Sequence, residues 1–111
     1  MSSGDLSSAL HATTLEDQPW VGKAPALIVI AADLEKANTT FHEQQPDGRR
    51  GERYTTIETG AVAQSMSLMA EARGLTAVPI GGTGDQALAE VLALPADLSP
   101  LGLFLLGCRP A

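Results

Sequence analysis

The chain has 111 residues, 44% of them apolar and only 4% aromatic, and its formal net charge is −6. That length suits one domain, 1–111, with a core built from Ala, Leu, Val and Ile. The acidic balance argues against nucleic acid and anionic membrane surfaces, since both select basic patches. Arg49, Arg50 and Arg53 form the one basic cluster, and acidic neighbours interrupt it.

Met1 is followed by Ser-Ser-Gly-Asp, without the basic start and apolar core of a secretory signal. Residues Ser2 to Ala12 predict a short helix. Ser2, Ser3 or Asp5 can cap it, and Leu6, Ala9 and Leu10 share one face. Thr13 to Val21 reads as a connection stiffened by Pro19. Trp20 at its end is read as a hydrophobic plug at the domain edge.

Ala26–Ala32 is continuous, apolar and rich in branched residues, which predicts a strand buried on both faces. Asp33 is placed to cap a helical or irregular segment running to Phe41. His42 to Glu52 is polar and contains Pro46, Gly48 and Gly51. It predicts a mobile loop, either a lid or partner contact or a solvated surface excursion.

Tyr54 to Gly84 organises the rest. Thr55 to Arg73 predicts a long helix with a wide stripe: Ile57, Ala61, Ser65, Leu68 and Ala72 in one row, Val62, Met66 and Met69 in a second. No ionisable side chain occurs between Glu58 and Glu71. Such neutrality predicts a helix enclosed on most sides. The methionines read as core filler. Gly74 stands where a left-handed residue ends the helix. Thr76 to Ile80 follows as a second buried strand, and Pro79 places the end of its ladder, or an edge, nearby.

Gly81 and Gly82 lead into Thr83-Gly84-Asp85-Gln86, which has capping-box spacing. It predicts a helix to about Leu92, with Leu88, Val91 and Leu92 inward and Pro95 ending it. Leu101 to Leu106 is a third apolar strand. Three strands separated by helices predict a mixed α/β-type domain, with a mixed central sheet covered by helices on both faces.

Few residues suggest chemistry directly. His11 and His42 lack ligand-like partners, so no metal site is expected. Cys108 is the sole cysteine, so no internal disulfide forms, and no base is near it in sequence. The longest apolar runs, Ala24–Ala32 and Leu101–Leu106, are far shorter than the roughly 20 residues of a membrane span. A reducing, cytoplasmic setting is expected. No catalytic side-chain constellation is assigned. The glycine corner 81–84 matches neither the dinucleotide nor the Walker pattern. Its glycines let backbone N–H groups approach a flat ligand, with a helix N-terminus directly after.

Three blocks, LSSALHATTLEDQPWVGKAPALIVIAADL, RRGERYTTIETGAVAQSMSLMAEARGLTAVPIGG and LALPADLSPLGLFLLGCRP, together resemble the C-terminal part of the FMN-dependent nitroreductase superfamily. The middle block carries the most specific likeness. The nearest branch is that of the thiazole and oxazole peptide dehydrogenases, although the Lys-Tyr pair of that branch has no counterpart here. The resemblance implies an α+β fold, FMN as cofactor, and a homodimer with the flavin at its interface. It implies that the backbone of Pro79, Ile80, Gly81 and Gly82 faces the flavin ring and that Arg109 meets the FMN phosphate. Relatives usually begin with a helix bearing an Arg-Arg-Ser-x-Arg-like motif. This chain has no such motif, so the N-terminal part of the usual domain is expected to come from a partner chain.

The expected function is hydride transfer through bound flavin, linked to NAD(P)H or of dehydrogenase type, on a small-molecule or peptide substrate. The alternative is a non-catalytic remnant, or an accessory or dimerisation subunit, that does not bind FMN by itself.

Overall fold

The computed structural model describes residues 6–15 and 18–108. Its helices are α1 (Ser7–His11), α2 (Leu34–Thr40), α3 (Arg50–Ala72) and α4 (Asp85–Leu92). Its strands are β1 (Ala26–Ala32), β2 (Leu75–Ile80) and β3 (Ser99–Cys108). Short 3-10 segments occupy Pro19–Lys23 and His42–Gln44.

β3 is the central strand, in the order β1-β3-β2. Both pairings are antiparallel, so the sheet is not mixed, while the α+β class holds. Register runs from Ala26 opposite Leu106 to Ala32 opposite Ser99, with an irregularity between Ile30 and Ala31. On the other side Leu75 faces Cys108 and Ile80 faces Leu103.

The period of two along β3 divides the structure into layers. Leu103 and Leu105 turn toward α1, the Pro19–Lys23 turn and α4, where Leu10, Val21, Ile80 and Leu88 complete the core. Phe104 has the opposite parity and is equally buried. α3 packs along β2 and β3, and Ala70 is its one buried residue beyond the first turn.

Several elements follow the sequence reading closely. β1 has the expected bounds. Asp33 caps α2, its carboxylate accepting from the Lys36 N–H at 2.8 Å. Gly74 ends the α3 turn with φ +73°. β2 is an edge strand, consistent with Pro79, whose ring offers no N–H to a ladder, but it is not the buried strand expected, since Ile80 is its one buried residue and Val78 is 45% exposed.

Other expectations are corrected. β1 is a sheet edge with partial exposure along its length, not a strand buried on both faces. Val21, fully buried, anchors the connection, while Trp20 stays 49% exposed. Helix α3 starts at Arg50, so the polar segment contributes a helical turn rather than a loop up to Glu52. No side chain caps α4, whose N-cap is Gly84. That helix ends at Ala93 in the left-handed region (φ 51°), before Pro95. The caps expected for α1 at Ser2, Ser3 and Asp5 lie outside the described residues; here the helix starts at Ser7.

The largest departure is α3. Ile57 and Leu68 are each 61% exposed, Met69 is 55% exposed and Val62 44%. The neutral stretch is therefore not enclosed by the chain itself. Neutrality records what a surface is adapted to meet, and nothing in the described chain covers this one. The radius of gyration, 15.3 Å, exceeds the roughly 13 Å of a compact chain of this length. The long helix accounts for that elongation, with extents of 52 × 30 × 26 Å.

Candidate functional site: the glycine corner after strand β2

Four residues expected at the site follow one another in the chain, and the structure keeps them together at the end of β2. Ile80 is buried in the core and fixes the strand end, while Pro79 and Gly81 are exposed. A side-chain atom added at Gly81 would meet nothing within 4 Å, and one at Gly82 would come no nearer than 3.9 Å to Gln18 Nε2. Room for a ligand therefore exists directly against the Gly81 backbone. Arg109 lies outside the described residues.

The corner is held by its own main chain. The Thr83 N–H donates to the Gly81 carbonyl at 3.1 Å, and the Gly82 carbonyl accepts from the Leu15 N–H at 2.8 Å. The C=O and N–H of a trans peptide point in opposite directions. With its C=O turned to Thr83, the 81–82 peptide turns the Gly82 N–H the other way. Among the described residues that N–H has no hydrogen-bond partner. A flat, electron-accepting ring with a nitrogen or carbonyl at its edge is a suitable acceptor for it. The residues present thus fit the edge of a flavin ring at this corner.

An apolar groove of about 500 Å³ lies on the sheet, lined by Trp20, Lys23, Val78 and Leu105 among others, and Ile80 is the one residue it shares with the corner. Sequence reasoning missed the part of this wall that comes from the Pro19–Lys23 turn. It also missed the contact between Thr13–Leu15 and the corner. Main-chain pairing between residues so far apart leaves no mark in local patterning.

A second cluster sits at the α2–α3 junction. Phe41 and Tyr54 meet edge to face, centroids 5.0 Å apart at 86°. The Tyr54 hydroxyl donates to Gln44 Oε1 at 2.6 Å, and the Arg50 guanidinium lies 5.8 Å from the Tyr54 ring centroid. Arg50 Nε is buried without a hydrogen-bond partner among the described residues. On the exposed side, the hydrogen bond and charge of Glu52 hold the Arg49 guanidinium still more firmly protonated. This cluster is separate from the corner and brings no nucleophile or paired carboxylates together. Among the described residues no group of His, Cys, Asp and Glu is arranged to hold a metal. Among the same residues, no helix is long and apolar enough to cross a membrane.

Comparison with known proteins bears on the family and the fold. The profile of the nitroreductase family matches residues 4–108. A relative from Methanocaldococcus jannaschii that carries the nitroreductase name is 35% identical over 88 residues, covering 77% of this chain and 41% of that protein. A structure from Anabaena variabilis, titled a nitroreductase, superposes with a TM-score of 0.82 at 27% identity, covering 99% of this chain and 21% of the other. An NAD(P)H:FMN oxidoreductase structure from Staphylococcus epidermidis has the same fold, with a TM-score of 0.74 at 18% identity, covering 100% of this chain and 65% of the other. The chain thus spans less than two thirds of the length of each of these relatives. The narrower placement in the azole-forming branch finds no support among them. From the match over residues 4–108 and the fold it shares with these structures, the chain belongs to the nitroreductase family.

Proposed function

We propose that the chain forms part of an FMN-dependent oxidoreductase, with the glycine corner as one wall of the flavin site. The observation that carries this reading is the Gly82 N–H, unpaired among the described residues, beside the open Gly81 backbone. When bound, the flavin supplies hydride chemistry, so the protein needs no nucleophile of its own. Ile80 anchors the corner in the core, Gly81 admits the ring edge, and Gly82 donates a hydrogen bond to it. Pro79 keeps the approach free of a competing side-chain donor. Arg109 is assigned to the phosphate, where a guanidinium suits a doubly charged oxyanion.

The exposed neutral face of α3 is assigned to a second copy of this chain or to a partner chain that completes the site. Ile57, Val62, Leu68 and Met69 give that face its apolar character. A nicotinamide electron donor is consistent with the likeness to the NAD(P)H:FMN oxidoreductase of S. epidermidis, and a small molecule or peptide is the expected substrate. A reducing cytoplasmic setting suits the free thiol of Cys108.

Titrating FMN into the purified chain and following flavin fluorescence tests this reading. Saturable quenching at one flavin per chain, with a shifted visible band, supports it. Unquenched fluorescence at micromolar chain rejects it for the chain by itself. That outcome favours an accessory role.

A further inference from the structure

Two main-chain hydrogen bonds cross from the segment after α1 to the corner after β2. The Leu15 N–H donates to the Gly82 carbonyl at 2.8 Å, and the Gly84 N–H donates to the Thr13 carbonyl at 2.7 Å. Thr14 and Thr83 sit opposite each other as an isolated antiparallel bridge. The strap is anchored from beneath. Leu10 and Thr13 are 3% and 5% exposed, and the Thr13 hydroxyl donates to the Leu10 carbonyl at 2.7 Å. The Leu15 side chain is 71% exposed, so the contribution of this residue is its N–H and not its packing.

The bonds act in sequence. Leu15 holds the C=O end of the 82–83 peptide, while its N–H end reaches Gly81 O. That second bond fixes the 81–82 peptide, and with it the direction of the Gly82 N–H. Released from Leu15, the 82–83 peptide can turn about the backbone of Gly82, which carries no side chain to restrict it, and the Gly82 N–H loses its fixed aim.

We propose that the Thr13–Leu15 strap is a positioning element for the flavin: it locks the corner peptides so that the Gly82 N–H is presented to the ring. This rests on the flavin reading above. A donor held at the ring edge stabilises the electron-rich reduced flavin more than the oxidised form, because it is aimed before charge arrives. The strap therefore raises both FMN affinity and the flavin midpoint potential.

Leu15→Pro removes the donor, whereas Leu15→Ala keeps it and trims only an exposed side chain. Three measurements on the full chain compare them: amide hydrogen exchange without flavin, FMN affinity by fluorescence, and the midpoint potential of the bound flavin. Expected for Leu15→Pro are faster exchange at Gly84 with the β3 amides still protected, FMN binding about tenfold weaker, and a lower potential. Leu15→Ala should match the wild type in all three. Equal affinity and potential in Leu15→Pro and Leu15→Ala overturn the proposal, as does equal loss in both.

If Leu15→Pro does not fold, Thr13→Val and Thr13→Ser give the same reading through the Leu10 carbonyl bond. The proposal expects Val to weaken FMN and lower the potential and Ser to restore both. Indistinguishable Val and Ser variants reject it. A wild-type chain that binds no FMN removes the flavin reading and this inference together. A wild type that binds FMN, with variants that bind it equally well, removes the strap alone.

Discussion

Gly51 lies where α3 crosses α2, and it is the position at which the structure makes its sharpest demand. A Cβ built there falls 2.0 Å from both the carbonyl carbon and oxygen of Ala37, and 2.4 Å from Asn38 N. Ordinary carbon contacts lie at roughly 3.5–4.0 Å, so Gly51→Ala must part the helices by well over ~1 Å. Overpacking of this kind costs about 1–3 kcal/mol. The separation also stretches the hydrogen bond from the Glu52 N–H to Asn38 Oδ1, now 2.7 Å, at a further ~1 kcal/mol. Against this, alanine gains at most ~1 kcal/mol of helix propensity, and less so in a first turn. The net expectation is a loss of about 2 kcal/mol, or a melting point lower by roughly 10 °C. Gly60 on the same helix has nothing within 4 Å of the added atom. Gly60→Ala should therefore stabilise, by roughly 0.5–1 kcal/mol. Urea unfolding followed by circular dichroism, on dilute samples so that association does not contribute, measures both. A Gly51→Ala chain at least as stable as the wild type would refute the tight crossing and the reasoning built on it.

Replacing Asp33 with Ala should cost about 1 kcal/mol, through loss of the cap on Lys36 N–H, read as a lower urea midpoint with an unchanged slope. Leu68→Glu should shift the chain toward the monomer in sedimentation velocity, raising the dissociation constant at least about 100-fold, because it places a charge in the proposed interface. A wild type that is monomeric at high concentration rules out a second copy on that face and leaves it to the separate partner chain. Gly81→Val should leave the circular dichroism spectrum unchanged, since a Cβ added there meets nothing within 4 Å, while weakening FMN at least about tenfold. Unchanged FMN affinity in that variant places the ring elsewhere.

What could be read from the sequence were features governed by local rules. Gly74 requires a left-handed turn, Asp33 caps the helix it precedes, and the branched run Ala26–Ala32 makes a strand with the bounds expected. The four corner residues were found because they are contiguous and two are glycines. Misreadings arose where burial depends on what lies across from a surface. Nothing in Ile28 or Ile57 says whether a neighbour belongs to the same chain, so the sequence predicts β1 buried on both faces and α3 enclosed on most sides. The capping box at Thr83 failed for a related reason: Thr83 is buried and bridged to Thr14, with Gly82 and Gly84 on either side of it bonded to the strap, and Gly84 becomes the cap. That competition between a local motif and a distant pairing is invisible without the fold.

The central place of β3 has a kinetic consequence. β1 and β2 share no ladder with each other, and each pairs only with β3. Ala26 must wait for Leu106, a contact spanning most of the chain, before β1 acquires any partner among the described strands. Closing so long a loop is entropically costly, and contacts of this kind slow folding. Until Ser99–Cys108 has been synthesised, the nascent polypeptide carries two unpaired strands rich in branched residues. The period before the last strand arrives is therefore the one in which this chain is most open to misassociation, and slowing translation upstream of Ser99 should lower its soluble yield.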